Sequence, residues 1–136
     1  MVVKTASIRE IDKLSKTSYK VLIMRRYPFW MKGLKKKINE YLPILSPSEQ
    51  LLTDYLKELK RVNNPKIAWN LVQYDSRFRR QILRDSNALA EMRRIKRISK
   101  ELNGKRVVYL LCHEPTDEYC HRRIIKELMD KFDLGD

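Results

Sequence analysis

The sequence predicts a small α/β domain, with a mostly parallel sheet of three or four strands, flanking helices and a helix-rich crossover. One observation is a pair of nearly continuous apolar runs, Tyr19–Arg25 and Arg106–Cys112, which is typical of strands buried on both faces. The other is the element order: strand, strand, several helices, strand and helix. A chain of 136 residues can form one core, so we assign residues 1–136 to a single domain.

The first elements are predicted from local patterns. A short strand is expected at Val2–Ala6, before the first apolar run. A helical face then follows, consisting of Leu34, Ile38, Tyr41 and Leu42. The sequence Ser46-Pro47-Ser48-Glu49 fits a capping box, with Ser46 as N-cap and Glu49 at the third helical position. The apolar stripe of that helix consists of Leu52, Tyr55, Leu56 and Leu59.

The later helices carry similar signals. Asn64-Pro65 predicts another helix start, and Asn103-Gly104 predicts the stop of the helical region. The apolar positions between them are Ala68, Leu71, Val72, Phe78, Ile82, Leu83, Leu89, Met92, Ile95 and Leu102. In the last helix they are Ile124, Ile125, Leu128 and Phe132. We expect Cys120 in the first turn of that helix, with Thr116 or Asp117 as its N-cap.

Composition limits the function classes. The formal charge of +13 favours polyanions as partners, although a generally Lys/Arg-rich proteome with a solvated basic surface would give the same value. No apolar run of about 18 residues is present, so no membrane association is expected, and the N-terminus lacks a signal-peptide pattern. We therefore predict a cytoplasmic protein with reduced thiols. The three glycines form no phosphate-binding loop, and no cofactor is predicted.

The segment from Cys112 to Arg122 contains both cysteines and both histidines of the chain. It follows the second apolar run and leads into the last helix. If the two main strands are parallel, their carboxyl ends lie at one edge of the sheet, where open α/β proteins place their sites. That edge would bring Arg25 and Arg26 close to Cys112, His113 and Glu114.

Three residues of this segment are candidate catalytic groups: Cys120, His121 and Glu114. A helix N-terminus and the neighbouring Arg122 could lower the pKa of the Cys120 thiol, although its helical spacing with Ile124 equally fits an inert core cysteine. His121 could act as a base, but adjacent helical residues project about 100° apart, which argues against a direct Cys-His pair. Glu114 could be a buried acid, or could form a bidentate salt bridge with Arg122.

The cysteines also raise the possibilities of a disulfide and of a metal site. A reversible disulfide between Cys112 and Cys120 is permitted but not required by their separation. The spacing of the cysteines and histidines matches none of the usual zinc patterns, so no metal site is predicted.

Two kinds of partner fit the charged residues. The preferred one is a small anionic ligand bound by Arg25, Arg26, Cys112 and Arg122, with help from the helix N-terminus. The alternative is a nucleic-acid-binding module in which the cysteine segment is structural. Aromatic and basic residues that could stack and pair with a strand are Tyr27, Phe29, Trp30, Lys32, Lys35, Lys36 and Lys37.

Three blocks of the sequence resemble the domain of unknown function 488 family, which includes the YeaO-like proteins. The first is Val21-Leu22-Ile23-Met24-Arg25-Arg26-Tyr27-Pro28, although Phe29-Trp30 stands where the family often has Arg-Gly. The second is Leu45-Ser46-Pro47-Ser48 with Leu51 or Leu52, followed by Trp69, Tyr74 and Phe78. The third is Leu110-Leu111-Cys112-His113-Glu114 with Cys120-His121-Arg122. The resemblance implies a compact α/β fold and a functional site, without a settled reaction.

Overall fold

The computed structural model describes residues 3–101, 107–114 and 118–131. These residues form a parallel sheet with α-helices, which confirms the predicted α/β class. The strands are β1 (Val3–Ser7), β2 (Tyr19–Leu22), β3 (Glu40–Tyr41) and β4 (Val108–Cys112). The α-helices are α1 (Glu49–Val62), α2 (Pro65–Leu71), α3 (Tyr74–Leu83), α4 (Ser86–Glu101) and α5 (His121–Asp130). Within these ranges, no helix combines the length and apolar character needed to span a bilayer.

The sheet has the order β1-β4-β2-β3, and all of its strand pairs are parallel. The two apolar runs are therefore its central strands, as their sequences predict. The register pairs Leu22 with Leu111, and the amide of Ile23 still donates to the Leu111 carbonyl at 3.0 Å. Cys112 thus lies beside the residues that follow β2, and the predicted meeting of the two strand ends is confirmed.

The central strands are buried on both faces. Val21 and Leu110 belong to a cluster that contains residues of all five α-helices, including the fully buried Phe78. Leu22 and Leu111 point to the other face and join a second cluster, which short 3-10 helices and loops complete. Each fully buried leucine stabilises the fold by about 1.5–3 kcal/mol, so the α-helices and the irregular segments both contribute to the core.

The helix predicted around Leu34 and Ile38 is wrong. The chain there forms a 3-10 helix at Leu34–Lys36, after Gly33 at a φ of 77°, and then the short strand β3. The amide of Asn39 donates to the Lys20 carbonyl at 2.8 Å, and its side-chain oxygen accepts from the Lys20 amide at 2.7 Å. The segment therefore pairs with the outer edge of β2, because the backbone groups of that strand edge need hydrogen-bond partners.

The start of α1 differs from the prediction by two residues. Ser46 follows a 3-10 helix at Pro43–Leu45, is fully buried, and donates its hydroxyl to the Pro43 carbonyl. Ser48 is the N-cap instead, and its hydroxyl accepts from the Leu51 amide at 3.1 Å. The second capping prediction, Asn64 before Pro65, is confirmed. The predicted stop at Asn103-Gly104 and the apolar positions Leu102 and Phe132 lie outside the described residues.

Candidate functional site

A cavity of about 370 Å³ opens at the carboxyl ends of β2 and β4. One wall is the chain after β2, from Met24 to Pro28, and another is Cys112–Glu114 after β4. Residues 119–121, at the start of α5, form the inner end, and side chains of α1 complete the wall. The cavity therefore lies at the sheet edge that the two apolar runs predict.

Two cysteines lie against each other at the inner end. The Sγ atoms of Cys112 and Cys120 are 3.0 Å apart, and each residue is only 2% exposed. Cys120 is the N-cap of α5 and has extended backbone angles, with φ −141° and ψ 141°. The prediction that Cys120 lies in the first helical turn is therefore wrong; Thr116 and Asp117, its predicted caps, lie outside the described residues. The extended conformation directs the Cys120 thiol towards β4.

His121 contacts both thiols. Its Nε2 lies within hydrogen-bonding distance of the Ile23 carbonyl, which can only accept, so Nε2 carries the proton of the neutral ring. Nδ1 then faces the sulfurs, at 3.8 Å from Cys112 Sγ and 3.8 Å from Cys120 Sγ. The expectation that Cys120 and His121 do not contact each other is wrong, because it requires helical geometry at Cys120, whose backbone is extended.

The electrostatics of the thiol are set by burial. Burial raises the pKa of Cys120 well above its ordinary value, the adjacent Cys112 raises it further, and His121 only partly opposes this. The expected lowering by the helix N-terminus is therefore wrong. Burial lowers the pKa of His121, but Cys120, the Ile23 carbonyl and Glu114 together raise it more, so the net shift is upward. Cys120 is thus a protonated thiol at neutral pH.

Glu114 faces the thiols rather than Arg122. Its Oε2 accepts from Cys112 Sγ at 3.1 Å and lies 3.6 Å from Cys120 Sγ. Arg122 is 2% exposed and donates from Nη1 to the backbone carbonyl of Glu114 at 2.8 Å. The predicted bidentate salt bridge is therefore replaced by a bond to the backbone, which fixes the loop and leaves the carboxylate at the thiol pair. Arg122 does not line the cavity, and its role in ligand binding stays a prediction.

The two arginines after β2 differ in their surroundings. Arg25 donates from Nε to the Pro47 carbonyl at 2.8 Å and from Nη2 to the Ser46 carbonyl at 3.3 Å. It thus holds the approach to α1 and does not pair with Glu114. Arg26 forms a 3.0 Å ion pair with Glu49 at the surface, and its side chain is 65% exposed. Both residues line the cavity, but only Arg26 presents an accessible guanidinium at its mouth.

An aromatic wall completes the site, and the sequence interpretation did not assign it to the site. Tyr55 and Tyr74 line the cavity, and Trp69 stacks on Tyr74 with ring centroids 4.0 Å apart. Burial, with the nearby Glu114 and Cys120, raises the pKa of Tyr55 to about 12. Burial, Cys120 and Cys112 raise that of Tyr74 well above its ordinary value. The sequence places Tyr55 in the apolar stripe of α1, and helical periodicity alone carries no signal that such a residue faces a cavity.

His113 lies at the rim of the site. Its Nε2 is 3.2 Å from Nη2 of Arg9, and its ring meets Trp30 edge-on at 5.7 Å. Trp30 is 63% exposed and Phe29 is 85% exposed, so these adjacent aromatics form a surface beside the cavity mouth. The predicted aromatic surface is thus accessible, and Trp30 also belongs to the cavity wall.

Comparison with known proteins gives one assignment. A family model, DUF488-N3a, described as the active DUF488-N3 subclade, matches residues 3–132. No curated protein and no solved structure matches the chain. The match includes all of the strands and the whole candidate site.

Proposed function

The chain belongs to the DUF488-N3a family, and we propose that it binds a small anionic ligand in the cavity beside Cys112, Cys120 and His121 and acts on it there. The observation that carries this proposal is the position of the buried thiol pair at the inner end of an open cavity. Reactive side chains at the carboxyl ends of parallel strands are a common arrangement of α/β enzymes. The family's description as an active subclade agrees with a site that performs chemistry.

The size and walls of the cavity suit a small molecule. Ligand sites commonly have volumes of about 300–1,000 Å³, with apolar and aromatic walls and a few polar groups, and this cavity has about 370 Å³. Tyr55, Tyr74 and Trp30 offer faces for the apolar or planar part of a ligand. The thiols and Glu114 at the inner end then face its reacting part.

The charge at the mouth favours an anion. Arg26 is largely exposed, and its surface pair with Glu49 contributes little to stability, so an anionic group can replace that pairing at small cost. The backbone amides at the start of α5 add a partial positive charge at the inner end. The net charge of +13 attracts anions to the whole surface.

Chemistry at the sulfur requires loss of the Cys120 proton. Only the thiolate is strongly nucleophilic, and burial holds Cys120 in the thiol form. His121 Nδ1, at 3.8 Å, is a proton acceptor within reach of a small side-chain movement. Cys120, His121 and Glu114 therefore remain the candidate reacting groups, whereas Arg26 is the candidate anion-binding group.

Thermal unfolding in the presence of ligands tests the proposal. Inorganic phosphate and nucleoside monophosphates, at millimolar concentration, serve as probes. At ten times its Kd a ligand stabilises the fold by about 1.4 kcal/mol, which raises the Tm of a domain of this size by roughly 4–7 °C. Arg26→Gln should abolish most of that shift.

Arg61→Gln is the matched control. Arg61 is 63% exposed, pairs with Glu58 at 2.7 Å and does not line the cavity. The Arg61→Gln substitution therefore removes the same charge and a similar surface ion pair as Arg26→Gln, but at a distance from the proposed ligand. Its ligand-induced shift should equal that of the wild type. Equal loss of the shift in both variants, or no shift in the wild type with any of the probes, would contradict the proposal.

Nucleic-acid binding is a second candidate, favoured by the exposure of Phe29 and Trp30 next to Lys32. Exposed aromatics beside cations suit stacking with unpaired bases. Binding of a single-stranded oligonucleotide that weakens steeply with salt, weakens in Phe29→Ala and is unchanged in Cys120→Ser would support this candidate. Phe29 does not line the cavity, so its substitution separates the two functions.

A further inference from the structure

We propose that Cys112, Cys120 and His121 bind a zinc ion whose fourth coordination position opens on the cavity. The inference rests on the proposed ligand cavity, but it makes Cys120 and His121 metal ligands, so that Glu114 alone of the three candidate reacting groups keeps its role. Two thiolates and one imidazole are ligands that Zn²⁺ prefers, and three protein ligands with one open position are typical of catalytic zinc sites. The fold, rather than close spacing in the chain, brings these three side chains together.

The ligand atoms have nearly the required separation. The Sγ atoms of Cys112 and Cys120 and one ring nitrogen of His121 all lie within 4.8 Å of one another. Cys112 Sγ and Cys120 Sγ are 3.0 Å apart, and His121 Nδ1 is 3.8 Å from each. Tetrahedral Zn²⁺ with ordinary bond lengths needs ligand-to-ligand distances of about 3.5–3.8 Å. Small side-chain rotations therefore suffice to seat the ion.

The orientation of His121 is the strongest argument. A zinc-bound histidine usually donates its other ring N–H to a carboxylate or a backbone carbonyl, which fixes the ring and its tautomer. Here Nε2 donates to the Ile23 carbonyl, so the lone pair of Nδ1 is directed to the sulfurs. The ring is also held edge-on against Phe78, at 5.7 Å between centroids. The imidazole is thus preoriented as a ligand.

Glu114 marks the open side of the site. Its carboxylate lies 3.1 Å from Cys112 Sγ and 3.6 Å from Cys120 Sγ, at the cavity wall. On binding, each thiol loses one proton to solvent and each sulfur becomes a ligand, so Cys120 would hold the ion instead of attacking the substrate. Glu114 would then accept a proton from water or ligand at the fourth position. The cavity would place the reacting part of a ligand within reach of the ion, with the ligand's anionic group at Arg26 near the mouth.

Metal loading of the reduced, untagged chain tests the inference. After chelator treatment, the chain is loaded with ZnCl₂ and desalted, and its zinc content is measured. We expect one zinc per chain in the wild type and in His113→Gln, a control that removes a nearby imidazole outside the cluster. Cys112→Ser and Cys120→Ser should retain none. Loading with Co²⁺ should give a sulfur-to-cobalt charge-transfer band and the intense visible bands of a tetrahedral site.

Cobalt spectra of the wild type keep the test decisive if a serine variant fails to fold. A wild type that retains no zinc while both thiols are titratable would overturn the inference, as would zinc retained in a folded Cys112→Ser/Cys120→Ser double variant. Formation of a Cys112–Cys120 disulfide in air in the presence of zinc, with dioxygen taking up the two electrons and two protons, would also overturn it. Zinc binding without any Arg26-dependent ligand shift would instead support the metal site and reject the proposed anion pocket.

Discussion

Replacing Glu40 by glutamine tests the ion pair that attaches the outer strand β3 to the helices. Glu40 accepts hydrogen bonds from both terminal nitrogens of Arg94 in α4, with Nη1 2.9 Å from Oε2, and from the hydroxyl of Tyr19. Its side chain is only 18% exposed. The Arg94 guanidinium holds the pKa of this carboxyl below its usual range.

The expected loss follows from these contacts. Hydrogen bonds to charged groups contribute about 1.5–3 kcal/mol, but Arg94 is 42% exposed and solvent screens part of the attraction. Glutamine keeps the shape of the side chain and one acceptor oxygen. We therefore expect the free energy of unfolding to fall by about 1–2 kcal/mol at neutral pH, and the Tm by roughly 3–8 °C.

The pH dependence separates charge from shape. Because the folded-state pKa of Glu40 lies below the unfolded value of about 4.3, its stabilisation is complete above that value and is lost as the pH falls through the folded pKa. The difference between wild type and Glu40→Gln should therefore be full at about pH 7 and shrink towards about pH 3. Urea titrations at several pH values measure it.

Glu91→Gln is the control for this prediction. Glu91 is the other partner of Arg94, at 2.6 Å from Nη2, and forms a helical i,i+3 pair on α4 with its side chain 33% exposed. Its loss should cost no more than about 0.5 kcal/mol. Equal losses in the two variants, or a Glu40→Gln difference that stays constant down to about pH 3, would refute the reasoning.

Three further predictions concern the backbone and the wall of the site. Gln73→Gly should stabilise the fold by about 0.5–1 kcal/mol, because Gln73 has a φ of 53°, a left-handed conformation that glycine adopts without steric cost. In the same urea titrations, the control Arg80→Gly within α3 should destabilise the fold by a similar amount. Arg25→Ala should cost about 1–3 kcal/mol by removing the bonds to two carbonyls, and Arg26→Ala at most about 0.5; comparable Tm values would contradict this division. Ser48→Ala should lower the free energy of unfolding by about 1 kcal/mol, because it removes the N-cap hydrogen bond of α1, and an unchanged free energy would contradict this role of Ser48.

The central strands could be predicted because strands buried on both faces have nearly continuous apolar sequences, and both runs show this pattern. Residues around Val21 and Leu110 are apolar on both faces, and parallel pairing then brings the strand ends together. Strand β3 has only two residues and no pattern of its own. It exists because the edge of β2 supplies hydrogen-bond partners, which no periodicity around Ile38 can reveal.

The sequence predicts which residues gather at the site better than it predicts the contacts among them. Cys112, Glu114, Cys120 and His121 do lie together, as the strand ends imply. Their mutual geometry depends on the extended backbone of Cys120, a single conformational choice at the helix start. That choice decides whether the thiol faces His121 and Cys112, and it also determines the electrostatics of Cys120, because facing inward buries the thiol.

A crystal structure of the reduced protein grown with a nucleoside monophosphate would test the proposed ligand pocket most directly. We predict the anionic group in the cavity, within hydrogen-bonding distance of Arg26, with the rest of the ligand along Tyr55 and its reacting end beside Cys112 and Cys120. A cavity that contains only water, with the nucleotide stacked on Phe29, would contradict the account and favour the nucleic-acid surface.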